Sequence, residues 1–242
     1  DLMKAPAFLY LACLPLLGLA ACNSPAAHVV ETVSSSGHLL LYEDFTTGGS
    51  LDGFTFSDNE AWSYGMDEES VAGEGGLPRS YMALHQASQF KPPHRSPLSY
   101  ALVKDLTLTD FELQFEVAQT GRNYAHRDLC FFFGYVDEAH YYYVHLATKP
   151  DPNAHNVFLV DGAARRPLCP VPEAGVDWGN PGQWHTVRLI RKGAEGHLQV
   201  FFDGEMTHEI ADATLPEGRI GFGSFDDTGR IRQLLVWEPG PN

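Results

Sequence analysis

Phe111-Glu112-Leu113-Gln114-Phe115-Glu116-Val117 alternates apolar and polar residues without a break. A side-chain period of two belongs to an extended strand with one face in a core, and it does not suit a helix, whose apolar positions recur every three or four residues. Ten further segments read as short β candidates: Leu39–Phe45, Ser80–Leu84, Ser99–Leu106, Leu129–Val136, Tyr141–Ala147, Asn156–Asp161, Trp184–Arg191, His197–Asp203, Arg219–Phe225 and Ile231–Glu238. Turn-forming residues separate many of them, among them Gly121, Asp137-Glu138, Asp161-Gly162, Asp203-Gly204 and Pro216-Glu217-Gly218. Such residues set the backbone angles that reverse a chain between strands. So many short strands, with no helical pattern after the N-terminal segment, imply an all-β fold of two packed antiparallel sheets.

The N-terminal segment follows different rules. Met3-Lys4 reads as a short positive start, and an apolar run from Phe8 to Leu19 follows, interrupted by Pro15 and Gly18. The run is shorter than the about 20 apolar residues that a membrane-spanning helix needs. Leu19-Ala20-Ala21-Cys22 then places small residues just before a cysteine, which suits signal-peptidase cleavage. The tetrapeptide resembles the bacterial lipobox. The resemblance implies removal of residues 1–21, lipid attachment to Cys22, and, with Asn23 next, an outer-membrane address. An ordinary signal peptide with an incidental cysteine is the alternative. Residues 22–37, with Pro25 and Ser34-Ser35-Ser36, read as a flexible tether, and residues 38–242 as one sandwich domain large enough to bury a core without disulfides.

The formal charge is −15, and loss of the signal removes one acid and one base, Asp1 and Lys4. That balance argues against a nucleic-acid partner, which needs concentrated Lys and Arg. It disfavours polyanionic glycans unless a local basic pocket overrides the global field. Membrane contact is expected through the lipid anchor alone, and a monomer is expected. Cys130 and Cys169 are the cysteines left after processing. An oxidising compartment allows them to pair, whereas the apolar run Leu129-Cys130-Phe131-Phe132-Phe133 equally suits a buried free thiol.

Three C-terminal stretches carry a family likeness: Gly182-Gln183-Trp184-His185-Thr186-Val187-Arg188-Leu189, Gly196-His197-Leu198-Gln199-Val200-Phe201-Phe202-Asp203-Gly204, and Gly218-Arg219-Ile220-Gly221-Phe222-Gly223-Ser224. They resemble the C-terminal half of laminin-G and concanavalin A-like domains. Residues 38–238 are similar to the family 16 glycoside-hydrolase-like domains of the 3-keto-disaccharide hydrolase type. The resemblance implies a concanavalin A-like jelly-roll sandwich, with sugars bound in a concave groove on one sheet. It says less about chemistry, because the superfamily holds lectins, hydrolases, lyases and adhesion modules.

The densest polar constellation lies mid-chain, in Tyr124-Ala125-His126-Arg127-Asp128, Tyr141-Tyr142-Tyr143-Val144-His145 and His155-Asn156. Alternation puts Tyr141, Tyr143 and His145 on one strand face and Tyr142, Val144 and Leu146 on the other. With the second set in the core, the first set lines an open trough. Aromatic rings suit the apolar faces of sugars, and His, Arg, Asp and Asn suit their hydroxyls. Tyr141, His155, Asn156 and Arg95, the last on the Pro-rich stretch Lys91–Pro97, are the candidate substrate-binding residues. His126, Arg127, Asp128, Tyr143 and His145 are the catalytic candidates: a histidine base, an arginine on a carboxylate or developing oxyanion, and a tyrosine proton donor. That set suits elimination on a uronic acid or cleavage of a keto sugar. Edge-of-sheet polar residues serving loops are the plainer alternative.

His126, Asp128, His145 and His155 also offer N/O ligands to a divalent metal, but their spacing is loose and no metal is expected. Glu112, Gln114 and Glu116 mimic the three-carboxylate strand of retaining glucanases with the central acid missing, so a solvated face is expected there. Asp226-Asp227-Thr228-Gly229 fits either a structural Ca²⁺ site or a plain turn. The sequence therefore points to an extracytoplasmic glycan-binding lipoprotein, an enzyme or a non-catalytic carbohydrate-binding module, with a structural envelope protein as the third reading.

Overall fold

The computed structural model describes residues 37–46, 50–67 and 79–239. The expected signal peptide, Cys22 and the tether up to residue 36 lie outside the described residues. The strands in chain order are β1 (His38–Glu43), β2 (Phe54–Phe56), β3 (Trp62–Asp67), β4 (Arg79–Leu84), β5 (Ser99–Val103), β6 (Asp110–Gln119), β7 (Asp128–Asp137) and β8 (His140–Ala147). They continue as β9 (Asn156–Asp161), β10 (Arg166–Pro167), β11 (Trp184–Lys192), β12 (His197–Phe202), β13 (Glu205–Ala211), β14 (Arg219–Ser224) and β15 (Gly229–Glu238). One sheet runs β13-β12-β11-β6-β15-β4-β3, with β1 beside the far half of β15, and the other runs β10-β9-β8-β7-β14-β5-β2. Neighbouring strands are antiparallel in both, so the protein is an all-β, two-sheet sandwich.

The period-two residues of β6 build the middle of the core. Phe111, Leu113, Phe115 and Val117 are buried between the sheets with Phe131, Val144 and Phe222 of the opposite sheet. Phe115 lies 4.9 Å from the rings of both Phe131 and Phe222. These contacts are among the apolar burial that stabilises such a fold. The glycine alternation of β14 serves close strand approach. A Cβ on Gly223 would sit 1.8 Å from the Ser99 carbonyl oxygen of β5, so no larger residue fits there.

The polar face of β6 departs from the solvated strand expected. Glu112, Gln114 and Glu116 are buried, at 7, 4 and 4 % exposure. Long side chains from the flanking strands lie across them. Arg188 of β11 donates to Glu112 at 2.8 Å, and Arg232 of β15 donates to Glu116 while stacking 4.0 Å above the Trp184 ring. The two glutamates are thus held by different arginines, and the glucanase-like spacing produces ion pairs instead of a catalytic couple.

The second sheet is buried on both faces at its centre, as the unbroken apolar run of β7 requires. Its inner face carries Phe131, Phe133, Tyr142 and Val144. Its outer face carries a separate cluster of Tyr100, Cys130, Phe132, Tyr141, Tyr143 and Phe158, against which Phe90 and Phe225 pack. Cys130 and Cys169 are both free thiols.

Candidate functional site

Three strand ends meet on the outer face of the second sheet. Asp128 opens β7, and the antiparallel register that pairs Cys130 with His145 places His145 beside it, two residues from the end of β8. Ser224 closes β14. Asp128 Oδ2 lies 2.7 Å from His145 Nε2, and its Oδ1 accepts the Ser224 hydroxyl at 2.6 Å. His145 Nδ1 accepts the backbone N–H of His155 at 2.9 Å. An Nδ1 that accepts a hydrogen bond carries no proton, so the proton of the neutral ring is on Nε2 and is donated to Asp128. His155 delivers its N–H from a left-handed backbone, φ 53°.

Asp227 ties the neighbouring loops to this centre. Its Oδ2 accepts both the Tyr124 hydroxyl and the Asp128 backbone N–H at 2.8 Å. Burial, reinforced by the charges of Asp128 and Asp226, pushes the Asp227 carboxyl up to about 6. Asp227 faces inward while Asp226 is exposed and lines the pocket above. The adjacent acids therefore meet different surroundings, one in the interior and one on the pocket wall.

Over Asp128 and His145 opens a pocket of about 720 Å³, within the roughly 300–1,000 Å³ typical of small-ligand sites. The Lys91–Leu98 stretch, Tyr124, His126, Asn153, Arg165 and Phe225 form its walls. Arg165 is held firmly. It donates to the Tyr143 hydroxyl at 2.7 Å and to the Asn153 carbonyl at 3.0 Å. Its guanidinium lies 4.8 Å from the Phe158 ring and 4.7 Å from the Phe225 ring.

Four of the expected site residues gather here: Arg95, His126, Asp128 and His145 all line the pocket. The others do not. Tyr141 and Tyr143 share a face with His145 as their alternation requires, but they are 3 and 0 % exposed, and the expected open trough is absent along their length. The β4–β5 connection brings Phe90 to 5.5 Å from the Tyr100 ring and Ser96 against Tyr141, while Phe225 covers Tyr143 at 6.2 Å. Burial pushes the Tyr143 hydroxyl well above its ordinary range, and the side chain lies outside the pocket lining. Arg127 is buried outside the pocket and donates to the Gly179 carbonyl.

His155 is buried next to His208, ring to ring at 4.7 Å, with its Nδ1 accepting the Ala147 N–H at 3.2 Å. Burial, with the neighbouring histidines, pushes it down to about 3. Asn156 clamps the Cys169 segment, donating to the Cys169 carbonyl at 2.9 Å and accepting from the Cys169 thiol at 3.0 Å. The four-residue metal set is therefore divided, with His126 on the rim and His155 in the interior. Asp128, Cys130 and His145 do bring potential ligand atoms within 4.8 Å of one another. Both Asp128 oxygens and both His145 nitrogens already have partners, and burial pushes the Cys130 thiol up, so this trio is satisfied by its own hydrogen bonds.

Arg165 and Phe225 escaped the sequence reading. Arg165 lies in a turn, Gly162-Ala163-Ala164-Arg165-Arg166, where no periodicity marks it. Phe225 follows the glycine-rich strand, whose pattern speaks only of packing. Chemically, the pocket offers fixed cations and N–H donors together with carboxylates that still have free lone pairs. Both nitrogens of His145 are engaged by Asp128 and the His155 N–H, so neither is free to take a proton from a ligand.

Such a fold and site define a two-sheet antiparallel β-sandwich with a pocket at the end of one sheet. No family model matches the sequence, and no curated protein matches it. Among solved structures, it is similar to the carbohydrate-binding module CBM66 from Bacillus subtilis, at 13% identity over 76% of this chain and 95% of that one, with a TM-score of 0.53. It is also similar to a mutant form of the GH43 protein BlXynB from Bacillus licheniformis, at 10% identity over 81% of this chain but 39% of that one, with a TM-score of 0.53. At these identities the likeness shows the fold.

Proposed function

We propose that this protein recognises a glycan in the Asp128–His145–Arg165 pocket. One observation carries the reading. Immobilised donors, unsaturated carboxylate acceptors and aromatic edges converge on a single open cavity of about 720 Å³. A pyranose presents vicinal hydroxyls that each donate and accept, and such mixed lining answers both halves of that pattern. The sandwich shared with a carbohydrate-binding module supports the same reading at the level of architecture. Cleavage, by elimination or by hydrolysis of a keto sugar, is the second reading. What favours it is that the Asp128 carboxylate opens on the pocket with its geometry fixed by His145 and Ser224.

Titration of the purified protein with a panel of polysaccharides and oxidised disaccharides tests both. Binding to at least one member is expected. His126→Ala and Asp226→Ala, at the solvent-facing pocket wall, are each expected to weaken it by up to about tenfold, the worth of one hydrogen bond. No binding across the panel, or binding untouched by both substitutions, contradicts the proposal. New reducing ends or an unsaturated, ultraviolet-absorbing product favour the enzyme; binding without turnover favours the module.

For location, we propose delivery to the bacterial envelope by the lipobox-like Leu19–Cys22 segment. Cys22→Ser is expected to move the protein from the membrane to the soluble fraction, and unchanged membrane association would refute the anchor.

A further inference from the structure

The pocket's charges are unevenly paired. Asp128 receives the His145 N–H and the Ser224 hydroxyl. Asp151 accepts the Asn153 N–H at 2.6 Å and faces His126 at 3.6 Å. Asp226 is the one pocket carboxylate with no partner among the described residues. Against it stand Lys91, Arg95 and Arg165, none of which meets a carboxylate among the described residues. The whole chain has 31 Asp and Glu against 16 Lys and Arg, whereas the pocket lining holds three acids and three bases, so the pocket is far less acidic than the molecule around it. Low-dielectric walls make such a local charge count for more than the distant, screened surface.

We infer that the sugar bound here is acidic, a hexuronate whose carboxylate is taken by Arg165, with Arg95 adding positive charge to the same pocket. The inference rests on the glycan reading above. Arg165 is suited to the task because its cost of ordering is already met by Phe158, Phe225, Tyr143 and Asn153. Two of its five N–H groups are engaged by the protein, which leaves three for a ligand. A guanidinium fork matches a planar carboxylate with two parallel hydrogen bonds. Arg95 sits on the proline-stiffened Lys91–Pro97 stretch, which limits the freedom lost on binding. Asp128 and Asp226 then face sugar hydroxyls, which can donate to them.

The test uses matched pairs: oligosaccharides of galacturonate, glucuronate, mannuronate and guluronate, each as the free acid and as its methyl ester, with a sulfated neutral oligosaccharide alongside. One free acid is expected to bind at least tenfold more tightly than its ester. Arg165→Gln is expected to erase that preference, and Arg165→Lys to retain part of it. Thermal melting of each variant checks that the fold is intact, and Arg95→Gln, fully on the rim, is expected to reduce the preference several-fold without any effect on melting. Equal binding of acid and ester overturns the acidic-sugar inference and leaves the glycan reading standing. A sulfated sugar bound as tightly as the best uronate overturns the carboxylate specificity. Binding to none of them removes both.

Discussion

Asp128→Ala is expected to lower the unfolding free energy by roughly 3–5 kcal/mol, the cost of leaving buried polar groups without their charged partner. The side chains of Asp128 and His145 are 5 and 4 % exposed, so water reaches the vacated place only from the pocket side. Two donors would be orphaned at once, the His145 Nε2–H and the Ser224 hydroxyl. The damage would spread, because the Asp128 backbone is itself held by Asp227. Asp128→Asn is the informative companion. Its Oδ1 can still accept from His145, and its amide can donate to Ser224 Oγ, which also receives the Asp227 N–H. Only the Ser224 hydroxyl proton then lacks its acceptor, and the loss is expected to stay at about 1–2 kcal/mol, well below that of the alanine. Urea unfolding of the two variants decides the matter. Equal losses in both would mean that charge alone, not the donor–acceptor pattern, holds this centre together.

Acid is expected to destabilise the protein through its interior histidines. Burial pushes His155 down to about 3 and His208 down to about 4 from an ordinary 6.5. A depressed folded value means that the unfolded chain takes up protons the folded protein refuses. The stability from each is whole above 6.5 and is lost as pH falls toward the folded value. Asp227 works in the opposite sense. Its carboxyl is raised to about 6 from 3.8, so between those values the folded state holds the extra proton and gains as pH falls. Two losses against one gain leave a net slope of about 1.4 kcal/mol per pH unit, or about 3 kcal/mol between pH 6 and 4. Asp227→Asn is expected to double that slope, and His208→Leu to bring it near zero. Urea midpoints across this range measure it. A His208→Leu protein as acid-sensitive as the parent would contradict the assignment.

Much of the architecture was legible because alternation is a local signal. The strict period of β6 and the β-rich runs of β7, β8 and β14 specify strands whatever surrounds them. β13 was not legible, since Glu205-Met206-Thr207-His208-Glu209-Ile210-Ala211 is an edge strand whose inward positions are a histidine and an isoleucine among polar residues. β3 was hidden likewise, with Gly65 and Ser63 diluting its pattern. Parity within β8 was also legible, and it set Tyr141, Tyr143 and His145 correctly on one face. Their burial was not, because it depends on Phe90, Ser96 and Phe225, which approach from distant parts of the chain. The same limit applies to Glu112 and Glu116. Nothing local announces that Arg188 and Arg232 will lie across them. The site was thus half visible: Asp128, His145, His126 and Arg95 converge, while Arg165 reaches the same place from an unremarkable turn.

Crystals grown with an oligosaccharide that binds in solution test the central claim most directly. The account places sugar density over Asp128 and His145, within hydrogen-bond reach of Arg165 and Asp226. Density lying instead across Trp184 and Arg232 on the other sheet, with this pocket empty, would contradict it.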